Sequence, residues 1–179
     1  MFSRIIKEGD FVLSSGAKSR YNYDYSQLSD TMNEAYCSLL KQKLDVWQSK
    51  HGKFNVVIGC ETEGIRIGYV LSKLINLPFY IMPKKSTDYS ELVIPAYPVD
   101  THWLIVDDIV TTGSTYIKAV DFLDIEEKPE SITFACMIKR NTENMDYSAV
   151  HGDPDKEQLH VRDERFDFID KRLVALHSE

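Results

Sequence analysis

Only three cysteines, Cys37, Cys60 and Cys136, occur in 179 residues, an odd number at wide spacings. They form neither a disulfide framework nor a CxxC pair, which excludes a stapled secreted scaffold and makes a reducing cytoplasm the expected location. Apolar runs are short, and none approaches the ~20 residues a membrane helix needs. The stretch from Met1 to Asp10 lacks the long apolar core of an export signal. Positive charge is in deficit: 21 Lys and Arg against 28 Asp and Glu leave a net charge of −7. That balance argues against general nucleic-acid binding, while leaving room for a local basic site that takes a small anion. The histidines, His51, His102, His151, His160 and His177, fall at no metal-ligand spacing and read as structural or surface residues. Glycine and proline are scattered, so no linker, repeat or low-complexity tract divides the chain.

What is present is a globular pattern. With 43% hydrophobic and 27% charged residues the chain is too apolar for disorder, and its length suits one domain spanning 1–179. A helix is expected from Ser29 or Asp30 to Gly52, with Met32, Ala35, Tyr36, Leu39, Leu40, Leu44 and Trp47 on one face. Short apolar runs then alternate with helical patterns. Strands are expected at 55–58, Phe79–Met82, Trp103–Val106 and Ser131–Ile138, with helices at Gly64–Asn76 and Ser114–Leu123. Uninterrupted apolar strands between helices imply an α/β fold: a doubly wound, mainly parallel sheet with helices on both faces. The core is expected at about 50–140, with an N-terminal segment at 1–30. The charged residues 141–179 form a C-terminal appendage, expected as a cap.

The stretch that carries chemistry runs from Trp103 to Thr115. An apolar strand ends in the adjacent carboxylates Asp107 and Asp108, and Thr111, Thr112, Gly113, Ser114 and Thr115 then open a helix. In open α/β sheets ligands sit at the carboxyl ends of the strands. A helix start with hydroxyls and a glycine is a phosphate cradle. The carboxylates can accept hydrogen bonds from vicinal sugar hydroxyls or help hold Mg²⁺. Together these suit a phosphorylated sugar, with the acids expected at the surface of a cleft. Gly-Ser-Thr also occurs in purely structural helix caps, but adjacent carboxylates at the end of a buried strand cost stability and are harder to explain that way. A Walker A loop is excluded because no Lys follows Gly113 at the required spacing.

The run Leu104 to Thr115 resembles the phosphoribosyl-pyrophosphate (PRPP) motif of the type I phosphoribosyltransferases: four apolar residues, two acids, two apolar residues, then Thr-Thr-Gly-x-Thr. The segment Phe11 to Asp24 resembles the N-terminal signature of orotate phosphoribosyltransferases. Gly59, Cys60, Glu61, Thr62, Glu63 and Gly64 sit where the family has its pyrophosphate loop. The resemblance implies Asp107 and Asp108 on the ribose hydroxyls, and Thr111 to Thr115 around the 5′-phosphate. It implies Tyr23 and Arg140 at the base, and Lys84 with the acid pair in catalysis; Lys85 is an extra cation, read as a substitute for the Lys expected at Thr87. Arg140 otherwise pairs with an acid of the tail. The resemblance further implies Mg²⁺ carried by PRPP, with Asp107 and Asp108 as candidate ligands, and a homodimer, for which the aromatic-rich Tyr21 to Tyr36 is the candidate contact. Cys60 reads as a space-filling residue, since the chemistry needs no thiol nucleophile.

Three departures from the family pattern stand out. Glu63 occupies a position where many orotate enzymes carry a basic residue. Pro83 replaces the Arg that opens the mobile loop, and Thr87 falls where a further Lys is expected. The expected function is Mg²⁺-dependent phosphoribosyl transfer from PRPP to a nucleobase, orotate first, with a purine or another pyrimidine as the alternative. A PRPP-binding regulator with impaired catalysis is the rival from a different class.

Overall fold

The computed structural model describes residues 3–13, 18–82, 102–123, 132–140 and 171–178. Lys84, Lys85, Pro83 and Thr87 lie outside the described residues, as do His151 and His160.

The chain opens with an antiparallel hairpin of β1 (Ile6–Val12) and β2 (Lys18–Tyr23), whose strands are mostly exposed. A 3-10 turn at Tyr25–Gln27 leads into α1 (Asp30–His51). Ser29 is the N-cap of α1, its hydroxyl accepting from the Met32 amide at 3.3 Å, and Gly52 ends the helix at φ 97°. Then follow β3 (Val56–Cys60), α2 (Glu63–Ile75), β4 (Phe79–Met82), β5 (Trp103–Val110), α3 (Ser114–Leu123), β6 (Ile132–Lys139) and β7 (Leu173–Ser178). The last five strands form one parallel sheet in the order β4-β3-β5-β6-β7.

Each central strand is buried on both faces, which is why its sequence is a run rather than an alternation. On one face Val57, Leu104, Val106, Ala135 and Met137 meet Tyr36, Leu40 and Leu44 of α1 and Ile67 and Leu71 of α2. On the other, Val56, Ile58, Ile105, Phe134 and Cys136 meet Tyr116, Ala119 and Val120 of α3. The fold is doubly wound α/β, as the strand–helix alternation implies.

Three features differ from the sequence expectation. β5 runs on to Val110, so Asp107 and Asp108 lie within the strand rather than after it. The cause is β6, which continues alongside and pairs with Asp107, Ile109 and Val110. Within the tail expected to cap the fold, Leu173–Ser178 is instead an edge strand of the sheet, parallel to β6. Finally, Tyr25 and Tyr36, from the aromatic stretch expected at a subunit contact, are 1% and 5% exposed and belong to this chain's own core. The Tyr25 hydroxyl donates to Asn33 Oδ1 at 2.9 Å, fastening the N-terminal segment to α1.

The amino end of the sheet is closed by a polar plug. Trp47 Nε1 donates to Thr133 Oγ1 at 2.9 Å, and that oxygen lies 2.7 Å from His102 Nε2. Burial favours the neutral ring of His102, and in the tautomer that leaves Nε2 unprotonated the Thr133 hydroxyl donates to it. Burial, then the charges of His51 and Arg172, hold the His102 pKa below its ordinary 6.5. As pH falls through 6.5 the unfolded chain takes up a proton that the folded ring refuses. The stability this group contributes is therefore full above 6.5 and is lost as pH falls toward the folded-state value. Thr133→Val is expected to cost ~1–3 kcal/mol in denaturant titration, because it takes this partner from the buried His102 ring and the half-buried Trp47 indole. A neutral effect would show that the plug contributes nothing.

Candidate active site

From β3 the chain passes through α2 to β4 on one side, and β5 then returns to the other side of β3. The carboxyl ends of β3 and β5 thus flank the point where strand order reverses, the crevice in which open α/β sheets bind ligands. Pairing of β3 with β5 is recorded as far as Gly59 and Val106, while β5 itself runs on to Val110. The segment Cys60–Gly64 and the segment Asp107–Thr115 occupy the two lips of that crevice.

Gly64 lets the first turn of α2 press against β5. A Cβ there would lie 2.5 Å from the Val106 carbonyl oxygen, 3.0 Å from Asp107 Cα and 3.3 Å from Asp107 Oδ1. A Cβ on Gly59 would lie 2.6 Å from the Gly64 carbonyl oxygen, so β3 and α2 are equally close. The loop between them, with a cis Glu61–Thr62 peptide, is thereby set beside the acid pair. Glu61 and Thr62 are exposed, Glu63 is partly buried, and Cys60 is fully buried. Burial, then the charges of Asp107 and Asp108, push the Cys60 thiol up, which agrees with a space-filling role.

Asp107 is only 6% exposed, which corrects the expectation of a surface carboxylate. Its Oδ1 accepts from the Asp108 amide at 2.9 Å, and Asp108 Oδ1 accepts from the Ile109 amide at 2.8 Å. Burial first, and the neighbouring Asp108 charge second, push the Asp107 pKa well above the usual carboxylate range, against smaller opposing pulls from the Asp108 amide and then the Thr115 hydroxyl. A concavity lies between this carboxylate and the start of α3, lined by Asp107, Ile109, Val110 and the run Thr111 to Tyr116. Gly113 turns the chain at φ 77°, a left-handed conformation that suits glycine, and its carbonyl receives the Tyr116 and Ile117 amides. The helix start, with Thr111, Thr112, Ser114 and Thr115 around it, offers dipole and hydroxyls to an anion.

The residues expected at the base also come together. The Arg140 guanidinium carbon sits 5.0 Å from the Tyr23 ring centroid. Its Nη2 donates to Ser19 Oγ at 2.7 Å and to the Tyr21 carbonyl at 3.0 Å, while its amide donates to Val110 O at 2.8 Å. Arg140 thus ties the N-terminal hairpin to the end of β5, while the tail acids at 141–170 lie outside the described residues.

Arg66 is the functional candidate the sequence did not suggest. Its Nη2 donates to Leu28 O at 2.6 Å and Asp30 Oδ1 at 2.9 Å, and its Nη1 lies 3.9 Å from Glu63 Oε2. Glu63 and Arg66 stand at i,i+3 on α2, a spacing that predicts an ion pair, but the reach to Leu28 is invisible in sequence. Burial, then the Asp108 charge, raise the Glu63 pKa, and Arg66 opposes them.

For a divalent cation the fit is specific. Among the described residues no group of three or more His, Cys, Asp or Glu side chains could hold a metal ion. The buried Asp107 and the half-buried Asp108, whose charges repel, do suit a hard cation that arrives with most of its ligands supplied by a phosphate-bearing substrate. No described helix is long and apolar enough to cross a membrane.

Residues 25–159 match the model of the phosphoribosyl transferase domain family. The chain is 30% identical over 125 residues to an orotate phosphoribosyltransferase of Sulfurisphaera tokodaii, covering 69% of this chain and 63% of that protein. It is 28% identical over 119 residues to the orotate phosphoribosyltransferase of Aeropyrum pernix, covering 66% and 63%. The match therefore spans less than two thirds of either relative's length. Among solved structures, orotate phosphoribosyltransferase from Aeropyrum pernix superposes with TM-score 0.66 at 22% identity, covering 97% of this chain and 88% of that one. An APRTase from Giardia lamblia, in complex with 9-deazaadenine, superposes with TM-score 0.63 at 15% identity, covering 98% and 94%. At these identities the superpositions establish the fold.

Proposed function

The chain belongs to the phosphoribosyltransferase family, and on that premise we propose that it transfers the phosphoribosyl group of PRPP to a nucleobase, with orotate as the first candidate. A base nitrogen forms the new bond to C1 of the ribose as the bond from C1 to the diphosphate oxygen breaks. The products are pyrophosphate and a nucleoside 5′-monophosphate. The observation that carries the proposal is the buried Asp107 of β5, with the half-buried Asp108 next to it, facing the hydroxyl-rich start of α3 across one concavity. That arrangement suits a molecule bearing vicinal hydroxyls at one end and a phosphate at the other.

In this reading Asp107 and Asp108 accept from the ribose hydroxyls and favour the positive charge that develops on the sugar as the leaving group departs. Thr111, Thr112, Gly113, Ser114 and Thr115 hold the 5′-phosphate. The loop Gly59, Cys60, Glu61, Thr62, Glu63, Gly64 holds the diphosphate. Tyr23 and Arg140 hold the base, and Lys84 and Lys85 bring cations to the departing diphosphate. Mg²⁺, entering with PRPP against Asp107 and Asp108, would neutralise diphosphate charge. The three described thiols are buried and unpaired, which supports work in a reducing cytoplasm. A homodimer is the proposed assembly.

The test is pyrophosphate release from PRPP with Mg²⁺ across a panel of orotate, other pyrimidines and purines. A base-dependent signal selects the enzyme and names its base; no signal with any base, and no PRPP binding, would end the proposal. Tight PRPP binding without turnover would instead select the PRPP-binding regulator, a reading supported by Glu63 in the diphosphate loop. Arg140→Ala is expected to raise KM for the base roughly tenfold or more, from a lost charged hydrogen bond, with PRPP affinity retained. An unchanged KM would remove Arg140 from the base site.

A further inference from the structure

We infer that Arg66 is a positioning residue for the diphosphate subsite: its guanidinium compensates the Glu63 carboxylate, so that a loop bearing an acid can still receive a polyanion. The inference rests on the function proposed above and adds a residue to that site.

The backbone of Glu63 is held beside β5. Glu63 precedes Gly64, whose contact with Val106 and Asp107 leaves no room even for a methyl group. Its carboxylate is therefore held close enough to Asp108, and less strongly to Asp24, for their charges to oppose its ionisation. Glu63 Oε2 is buried and accepts no hydrogen bond. The cation it faces is Arg66 Nη1 at 3.9 Å, too long for a hydrogen bond but close enough for a Coulombic pull that opposes, without overcoming, burial and the Asp108 charge. Arg66 does not wander, because Nη2 is anchored on Leu28 O and Asp30 Oδ1. That anchorage aims the remaining arm of the fork at Glu63. The helix dipole adds to the same balance, since an acid in the first turn of α2 lies at its positive end. A diphosphate entering the loop then meets a compensated pair rather than a bare carboxylate. Without Arg66, Glu63 would join Asp107 and Asp108 in repelling it.

The experiment is calorimetric titration of the full chain with PRPP and Mg²⁺, for wild type, Arg66→Gln, Arg66→Lys, Glu63→Gln and the double variant Arg66→Gln with Glu63→Gln. Arg66→Gln is expected to weaken PRPP binding on the order of tenfold, the scale of coupling between charged neighbours. Arg66→Lys retains most of the affinity, and adding Glu63→Gln to Arg66→Gln recovers most of what was lost. The double variant still lacks the guanidinium bonds to Leu28 and Asp30, so recovery cannot come from them. If the double variant binds as weakly as Arg66→Gln alone, or if Arg66→Gln binds as wild type does, the inference is overturned while the proposed function stands. If the wild-type chain binds no PRPP, the proposed function falls and the inference falls with it.

Discussion

Replacing Asp107 and Asp108 together by asparagine is expected to lower PRPP affinity by ~10²–10⁴-fold, from two charged hydrogen bonds worth ~1.5–3 kcal/mol each. The same change is expected to raise the thermal midpoint. Asp107 is buried, with its ionised form opposed by burial and by the Asp108 charge, so the wild-type pair costs the fold stability. Asparagine keeps the oxygen that accepts the Asp108 amide and removes the repulsion. The pH dependence carries a matching sign. The folded-state pKa of Asp107 is raised above its ordinary 3.8, so the folded chain keeps a proton that the unfolded chain releases. This group's contribution therefore falls as pH rises from 3.8 toward the folded-state value, and the asparagine variant lacks that slope. Calorimetry and a pH series of thermal melts measure both. An unchanged PRPP affinity would remove the acid pair from the site, and a lowered midpoint would contradict its cost to the fold.

That opposition between binding and stability explains what could be read from sequence. Strong local patterns were legible: β4 and α3 fall at their expected bounds, and Ser29 caps α1. The acid pair and the Thr-Thr-Gly-Ser-Thr run were legible because adjacent carboxylates on an apolar strand violate the packing rule that the other residues of the strand obey. What escaped was set by distant partners. The hairpin strands are polar and mostly exposed, so they show no alternation. Asp107 to Val110 stay in the strand because β6, 29 residues on at Cys136, pairs with Asp107. β7 is a short apolar run, Leu173 to Leu176, inside a charged tail, and only its neighbour β6 makes it a sheet strand. Arg66 looks like an ordinary polar residue of an amphipathic helix, and its hydrogen bond to Leu28 spans 38 residues.

Gly64→Ala is the sharpest single test of how the fold sets the site. The introduced methyl would sit 2.5 Å from the Val106 carbonyl oxygen, in a strand held by neighbours on both sides. Strand backbone cannot yield cheaply, so the first turn of α2 must move away, at a cost of ~1–3 kcal/mol for overpacking. Moving that turn displaces the loop from the acid pair, and groups misplaced by ~1 Å can cost ~10²-fold in rate. Gly64→Ala is therefore expected to lower stability, PRPP affinity and turnover together. Gly68→Ala, one turn along the same helix, is the control: its methyl would meet the edge of the Phe79 ring at 2.8 Å and Gly59 Cα at 3.2 Å. A ring edge can swing aside, so this variant is expected to lose less stability and to keep PRPP affinity near that of wild type. Should Gly64→Ala bind PRPP as wild type does, the contact between α2 and β5 would be a packing detail with no bearing on the site. Should both variants lose affinity equally, the effect would belong to the seating of the whole helix rather than to its first turn.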